Sequence, residues 1–198
     1  MKRKWILQFY LSFKEFLKEK KDSISQLPKD EQEKLKALEN FKLHMLMDPE
    51  TKEMKIDMVT DFINVTELQD MFAALNNAAK LQNKKGIGAA NNNNPFSTFG
   101  NGGYTDIAYS FSNNVFIRTA TVKDEASYKQ MLDSLGDMSM VFNTSKYKLN
   151  YHFPKKIKSV SNDNVMFSSD RKSLTLEFGF MEYLKNPEAL NLEVVLED

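Results

Sequence analysis

The sequence of 198 residues contains no cysteine, and its 27 basic residues are balanced by 27 acidic ones. Disulfide bonds, thiolate metal sites and cysteine nucleophiles are therefore excluded. The absence of cysteine does not identify the cellular compartment, because both cytosolic and envelope proteins can lack it. The absence of net charge argues against a dedicated nucleic-acid binder, since such domains are usually basic. We therefore expect no nucleic-acid partner.

Long hydrophobic runs are also missing, because no segment approaches the ~18 apolar residues that would span a bilayer. The basic start of the chain mimics a signal peptide. However, Gln8 interrupts the apolar run that follows, Lys14 ends it, and no small-residue cleavage site comes after it. Apolar and polar residues alternate there instead, which predicts a first strand. The alternating apolar residues are Trp5, Leu7, Phe9, Leu11 and Phe13.

Motifs that carry catalysis are lacking as well. His44 and His152 are the only histidines, and each falls on the polar phase of a predicted strand, so we expect both to be solvated. Neither has a second histidine or a carboxylate at metal-ligand spacing. There is no G-x-S-x-G elbow and no glycine-rich phosphate loop. The sequence predicts a protein that is not an enzyme, with no catalytic, metal or cofactor-binding residue.

What the sequence does contain is alternation of apolar and polar residues, most clearly in its last quarter. Such rows predict half-buried antiparallel strands, because a register slip of one residue would expose each row to water. We expect the three rows to lie in one sheet. They are Tyr147, Leu149, Tyr151 and Phe153; Leu174, Leu176, Phe178 and Phe180; and Leu190, Leu192, Val194 and Leu196.

Upstream segments alternate between hairpin and helix patterns. Helical stripes are predicted over 14–26 and 29–39, a hairpin over 43–58, a helix capped by Asn64, a second hairpin over 107–122 and a helix capped by Asp124. The order predicts an α+β fold, with a mostly antiparallel β-sheet built from hairpins and amphipathic helices packed on one face. We expect a single domain over 1–198 that includes a flexible Gly/Asn-rich loop at 83–103.

One cluster of like charges interrupts the balanced composition. Residues 145–161 contain no acidic side chain but include Lys146, Lys148, Lys155, Lys156 and Lys158. Aromatic residues and lysines fall on opposite faces of the predicted strand, which disfavours nucleic-acid binding by base stacking. The lysines could face an anionic membrane, or they could protect an exposed strand against edge pairing.

The last quarter also resembles a known family. The segments YKLNYHFP (147–154), IKSVS (157–161) and SDRKSLTL (169–176) are similar to the C-terminal part of uncharacterised bacterial cell-envelope lipoproteins. These lipoproteins are distantly similar to the LppM-type lipoprotein domain, whose members are associated with lipid binding. The resemblance implies a non-enzymatic α+β domain on the periplasmic or outer-membrane face of the cell envelope. Members begin with a signal peptide and a lipidated cysteine, and this chain has neither.

These observations lead to two functional hypotheses. The first is an envelope module that binds an apolar ligand, such as a lipid, between its helices and sheet, or that binds a membrane surface. The high number of Met and Phe residues, 11 and 15, motivates the apolar ligand. The second is a structural or assembly protein that binds another protein through a sheet edge or a helix face.

Overall fold

The computed structural model describes residues 7–36, 38–48, 53–65, 68, 105–134 and 144–198. The chain divides into two compact units, Met1–Asn101 and Gly102–Asp198, and each is described by itself. The prediction of one domain over 1–198 stays a prediction. The predicted loop at 83–103, and the body of the helix predicted to begin at Asn64, lie outside the described residues.

The described part of the first unit consists of a three-stranded antiparallel sheet and short helices. Its described elements are β1 (Leu7–Ser12), α1 (Phe13–Glu19), α2 (Lys21–Ile24), α3 (Lys29–Lys36), β2 (Phe41–Asp48) and β3 (Glu53–Thr60), with strand order β1-β2-β3. The expected helix over 14–26 is divided at Lys20, whose backbone leaves the helical region. A buried cluster joins the helices to the sheet, and its members are Phe13, Phe16, Leu35, Leu38, Phe41 and Leu43.

The second unit contains two antiparallel sheets. Its described elements are β4 (Thr105–Ser112), β5 (Val115–Val122), α4 (Glu125–Ser134), β6 (Lys146–His152), β7 (Ile157–Val160), β8 (Val165–Phe167), β9 (Ser173–Gly179), α5 (Phe180–Lys185), a 3₁₀ helix (Pro187–Leu190) and β10 (Leu192–Leu196). One sheet has the order β4-β5-β10-β7, and the other has the order β6-β9-β8. The predicted fold class, α+β with mostly antiparallel strands from hairpins, is confirmed.

The two sheets of the second unit pack against each other through aromatic side chains. The ring of Phe116 on β5 lies 5.1 Å from that of Tyr151 on β6 and 5.5 Å from that of Phe153. Phe116, Leu174, Leu176 and Val194 are almost completely buried. The core of this unit therefore lies between the sheets, and the outer face of β6 carries the polar residues of its alternation.

The expectation of one sheet for the last quarter is wrong. β6 and β9 belong to one sheet and β10 to the other, because the chain crosses between them at 154–156. Pro154 has no N–H for a sheet ladder, and Ile157 beyond it starts a strand that pairs with β10. Phe180 begins α5 and Leu190 ends the 3₁₀ helix, so neither extends a strand row. β8 was not predicted, since its three residues are too short to show alternation.

Two local predictions about the β4–β5–α4 region are confirmed. β4 and β5 are joined by the two-residue turn Asn113-Asn114, whose φ angles of 51° and 63° are left-handed. Asparagine tolerates that region better than most residues, which explains the turn. Asp124 caps α4, because one carboxylate oxygen accepts hydrogen bonds from the backbone N–H groups of Ala126 (3.0 Å) and Ser127 (3.3 Å).

Candidate functional site

The five lysines that the sequence singled out do not form one cluster. Lys146 and Lys148 are exposed on the outer face of β6, near the start of that strand. The Lys148 ammonium lies 2.7 Å from the carboxylate of Glu177 on the neighbouring strand. That hydrogen bond holds the pKa of the Glu177 carboxyl below its usual value. This end of the strand is therefore partly neutralised.

Lys155, Lys156 and Lys158 lie beyond the other end of β6. The strand runs from Lys146 to His152, and six residue steps at about 3.3 Å each separate its ends by about 20 Å. All three lysines are exposed. The structure therefore divides the lysines into a pair at one end of the sheet and a group of three at the other.

The second group belongs to a surface formed by three connections, 113–114, 154–156 and 168–172, and by the adjoining start of β7, which carries Lys158; we call this surface the basic tip. Backbone hydrogen bonds hold it together. The N–H of Phe153 donates to the carbonyl of Lys172, and the N–H of Ile157 donates to the carbonyl of Arg171, both at 2.8 Å. On the other side, the Lys155 ammonium donates to the Asn114 side chain at 3.3 Å. These hydrogen bonds between the ends of strands therefore bring together residues that are distant in sequence.

The basic tip contains two cations that sequence reasoning missed, Arg171 and Lys172. They stand between β8 and β9, and they were noted only within a segment of family resemblance. Both residues are far from Lys155 in the sequence, so no local pattern indicated that they lie close to it in the fold. With them, the basic tip has five basic side chains, namely Lys155, Lys156, Lys158, Arg171 and Lys172.

Acidic groups are also present at the basic tip, but they are fewer. Asp170 accepts hydrogen bonds from the Ser168 hydroxyl at 2.6 Å and from the Lys172 backbone N–H at 3.0 Å. The Ser168 bond is the largest cause of a pKa below the usual value for this carboxyl, followed by the Lys172 N–H. The Asp170 charge is thus engaged within its own turn. Glu197 and Asp198 follow β10 at the same end, so cations outnumber acids five to three.

Two aromatic rings stand partly exposed on the strand ends that adjoin the connections of the basic tip. Phe111, close to the 113–114 turn, is 48% exposed, and Phe167, next to the 168–172 turn, is 38% exposed. Each lies near the end of its strand, where the sandwich core opens to solvent. The basic tip therefore combines apolar rings with positive charge on one surface.

The two histidines differ from each other. His152 is exposed as predicted, and its Nδ1 lies 2.8 Å from the Ser173 hydroxyl. His44 is only partly solvated: its side chain is 28% exposed, its ring stacks on Tyr10 with centroids 4.3 Å apart, and its Nδ1 lies 3.4 Å from an Asp57 oxygen. Cross-strand pairing places Tyr10, His44 and Asp57 side by side on β1, β2 and β3. The pattern of any one strand does not reveal this arrangement.

A depression of about 400 Å³ occurs in the first unit, where β1 meets α1. Four charged side chains line it together with apolar and polar neighbours. Ligand pockets for apolar molecules are lined mainly by hydrophobic side chains. This depression therefore does not resemble a lipid-binding cavity. Its lining residues are Ser12, Lys14, Glu39, Asn40, Phe41, Lys42, Asp61, Phe62 and Ile63.

The described residues contain no group of three or more His, Asp or Glu side chains that could hold a metal ion. None of the helices in the described ranges is long and apolar enough to cross a bilayer. Comparison with family models, curated proteins and solved structures found no match to this chain.

Proposed function

We propose that the protein is a non-enzymatic module that binds the surface of an anionic membrane through the basic tip. The observation that carries the proposal is the convergence of five cations and two exposed aromatic rings at three neighbouring connections and the strand ends that adjoin them. Surfaces that lie at a membrane interface combine apolar side chains with Lys and Arg in this way. An envelope location, as the family resemblance implies, is part of the same proposal.

Charge supplies the attraction in this proposal. Each Lys or Arg near an anionic membrane contributes about 1 kcal/mol at physiological ionic strength. Five cations, reduced by three acids, would therefore give a reversible and salt-dependent association. Phe111 and Phe167 would reach the headgroup region as the tip approaches. The dense packing around Phe116 favours a surface contact over a lipid held inside the sandwich.

The test is co-sedimentation with vesicles of phosphatidylcholine, with and without 30 mol% phosphatidylglycerol, at low and high salt. We expect binding only to the anionic vesicles, and weaker binding at high salt. The double variant Lys155→Gln, Lys156→Gln removes two attractions of about 1 kcal/mol each, so its affinity should fall about 30-fold. Equal binding to neutral vesicles, or no binding to anionic vesicles at low salt, would refute the proposal.

The other pair of lysines provides a matched control. The variant Lys146→Gln, Lys148→Gln has the same change of charge, but the substitutions lie about 20 Å from the basic tip. We expect its affinity for anionic vesicles to stay within about twofold of the unmodified protein. A similar loss in both double variants would show that overall charge, and not this surface, is responsible.

A second candidate function is protein binding through a sheet edge. β8 pairs only with β9 within the described residues, and Met166 on this edge strand is exposed. Edge strands of this kind can accept a strand from another chain. Size-exclusion chromatography over a wide concentration range, followed by crosslinking, tests this candidate. A single monomeric species without crosslinked partners would count against it.

A further inference from the structure

The side chain of Arg171 is held in place more firmly than the other cations of the basic tip. Its backbone is left-handed, with a φ angle of 56°, and its N–H donates to the Ser168 carbonyl at 3.0 Å. The Ser168 hydroxyl accepts from the Ser173 N–H at 2.9 Å, and Asp170 binds both Ser168 and the Lys172 N–H. The turn that presents Arg171 is therefore fixed by its own hydrogen bonds.

The guanidinium group is also oriented. Its Nε donates to the Ile157 carbonyl at 3.2 Å, and its central carbon lies 4.4 Å from the centroid of the Phe167 ring. A stacked and hydrogen-bonded guanidinium has lost much of the freedom of a surface arginine. Within the described residues no carboxylate forms an ion pair with Arg171. The two terminal nitrogens are thus available for a ligand.

This arrangement suits a phosphate group. The terminal nitrogens of arginine form a planar fork that donates two parallel hydrogen bonds to phosphate oxygens, whereas lysine acts as a point charge. The flanking Lys155, Lys156 and Lys172 add positive charge without such directionality. A terminal phosphate carries a charge of about −1.5 to −2 at neutral pH, so it would gain more from these neighbours than a singly charged headgroup.

We propose that Arg171 is the specificity-determining residue of the basic tip, and that it selects lipid headgroups that end in a phosphomonoester. Phe167 is the positioning residue, because its ring supports the guanidinium. This inference rests on the proposed membrane-binding function. It adds a preference for one headgroup chemistry, which general charge attraction does not produce.

The experiment compares two vesicle types with equal surface charge. One contains 30 mol% phosphatidylserine, and the other contains phosphatidic acid at about 20 mol%, since its monoester carries about 1.5 charges. We expect the unmodified protein to bind phosphatidic acid vesicles about tenfold more tightly, the effect of roughly one charge-assisted hydrogen bond. In a second arm, inorganic phosphate competes with the vesicles. Phosphate should weaken binding to phosphatidic acid more than an equal ionic strength of chloride does.

Two variants distinguish the bidentate hydrogen bonding of the Arg171 guanidinium from the effect of positive charge alone. Arg171→Lys keeps the charge and should lose the tenfold preference, while it still binds phosphatidylserine vesicles. Lys156→Gln should weaken binding to both vesicle types by a similar factor and keep the preference. Phe167→Leu leaves Arg171 in place and should reduce the preference partially. If Arg171→Lys fails to fold, as judged by circular dichroism, Phe167→Leu tests in its place whether the oriented guanidinium causes the preference for phosphatidic acid.

The outcomes distinguish this inference from the function on which it rests. Failure of the unmodified protein to bind either anionic vesicle overturns the proposed function and this inference together. Equal binding to both vesicle types overturns only this inference. The same holds if Arg171→Lys folds and keeps the full preference for phosphatidic acid.

Discussion

The hydroxyl of Tyr128 offers a quantitative test of the packing in the second unit. Tyr128 lies on α4, is 6% exposed, and donates a hydrogen bond to the carbonyl of Leu184 on α5. Burial is the main cause that raises its pKa from 10.0 to about 12, and the charge of Glu125 adds to it. The substitution Tyr128→Phe removes the hydroxyl and keeps the ring.

Two effects of this substitution can be worked out. At pH 7 the Leu184 carbonyl loses its buried donor, so the free energy of unfolding should fall by ~1–2 kcal/mol. The second effect depends on pH. Because the folded-state pKa is raised, the contribution of the neutral hydroxyl is fully present below pH 10 and is lost as pH rises towards 12. The loss is ~1.4 kcal/mol at pH 11 and approaches ~2.7 kcal/mol above pH 12.

Urea unfolding followed by far-UV circular dichroism at several pH values between 7 and 11.5 measures the difference between the two proteins. We expect the unmodified protein to be more stable at pH 7, and the difference to shrink to about zero near pH 11. As a control, Tyr128 is compared with Tyr10, which is 70% exposed. At pH 7, Tyr10→Phe should change the free energy of unfolding by less than about 0.5 kcal/mol. A Tyr128→Phe difference that stays constant with pH would refute the reasoning.

Three further predictions concern the same unit and use urea unfolding. Phe116→Ala should lower the free energy of unfolding by ~3–5 kcal/mol, because the ring is 1% exposed between the sheets, whereas Phe111→Ala should cost much less. Asn114→Ala should cost ~1 kcal/mol, since alanine resists the φ angle of 63°, and Asn114→Gly should restore most of the loss. Asp124→Ala should destabilise α4 at pH 7, and Asp133→Ala on the same helix should not. Hydrogen bonds from Ser127, first through its hydroxyl and then through its N–H, lower the pKa of Asp124. Its contribution to stability is therefore present above about pH 4 and is lost as pH falls through the lowered pKa, so the difference from Asp124→Ala should narrow as pH falls below 4.

Local patterns in the sequence predicted local structure well. Alternation identified β6 and β9, the hairpin pattern over 107–122 identified β4 and β5, and the cap at Asp124 identified the start of α4. Each of these features depends on residues within a few positions of one another. The fold class followed from their order, because hairpins and short helices favour an antiparallel α+β arrangement.

Features that depend on distant residues were not predicted. Arg171 and Lys155 come close only because the crossing at 154–156 hydrogen-bonds to the 168–172 turn. Arg118, which is fully buried and donates to the Leu190 carbonyl at 2.9 Å, had no local signal in an alternating strand. Such contacts depend on which strands become neighbours in a sheet. Local patterns in a single sequence do not reveal that topology. The candidate site was therefore predicted in part, through its lysines, without its arginine.

The position of β10 has a consequence for how the second unit forms. In the strand order β4-β5-β10-β7, the strand that the ribosome makes after the other three lies between β5 and β7. The nascent chain can form the β4–β5 hairpin early, but β7 has no neighbour in its sheet until Leu192–Leu196 emerges. During this interval Ile157 has no strand partner, because it pairs with Leu196 on β10. Translation speed and chaperone access during this interval should therefore influence the yield of folded protein, because an unpaired strand edge is prone to aggregation.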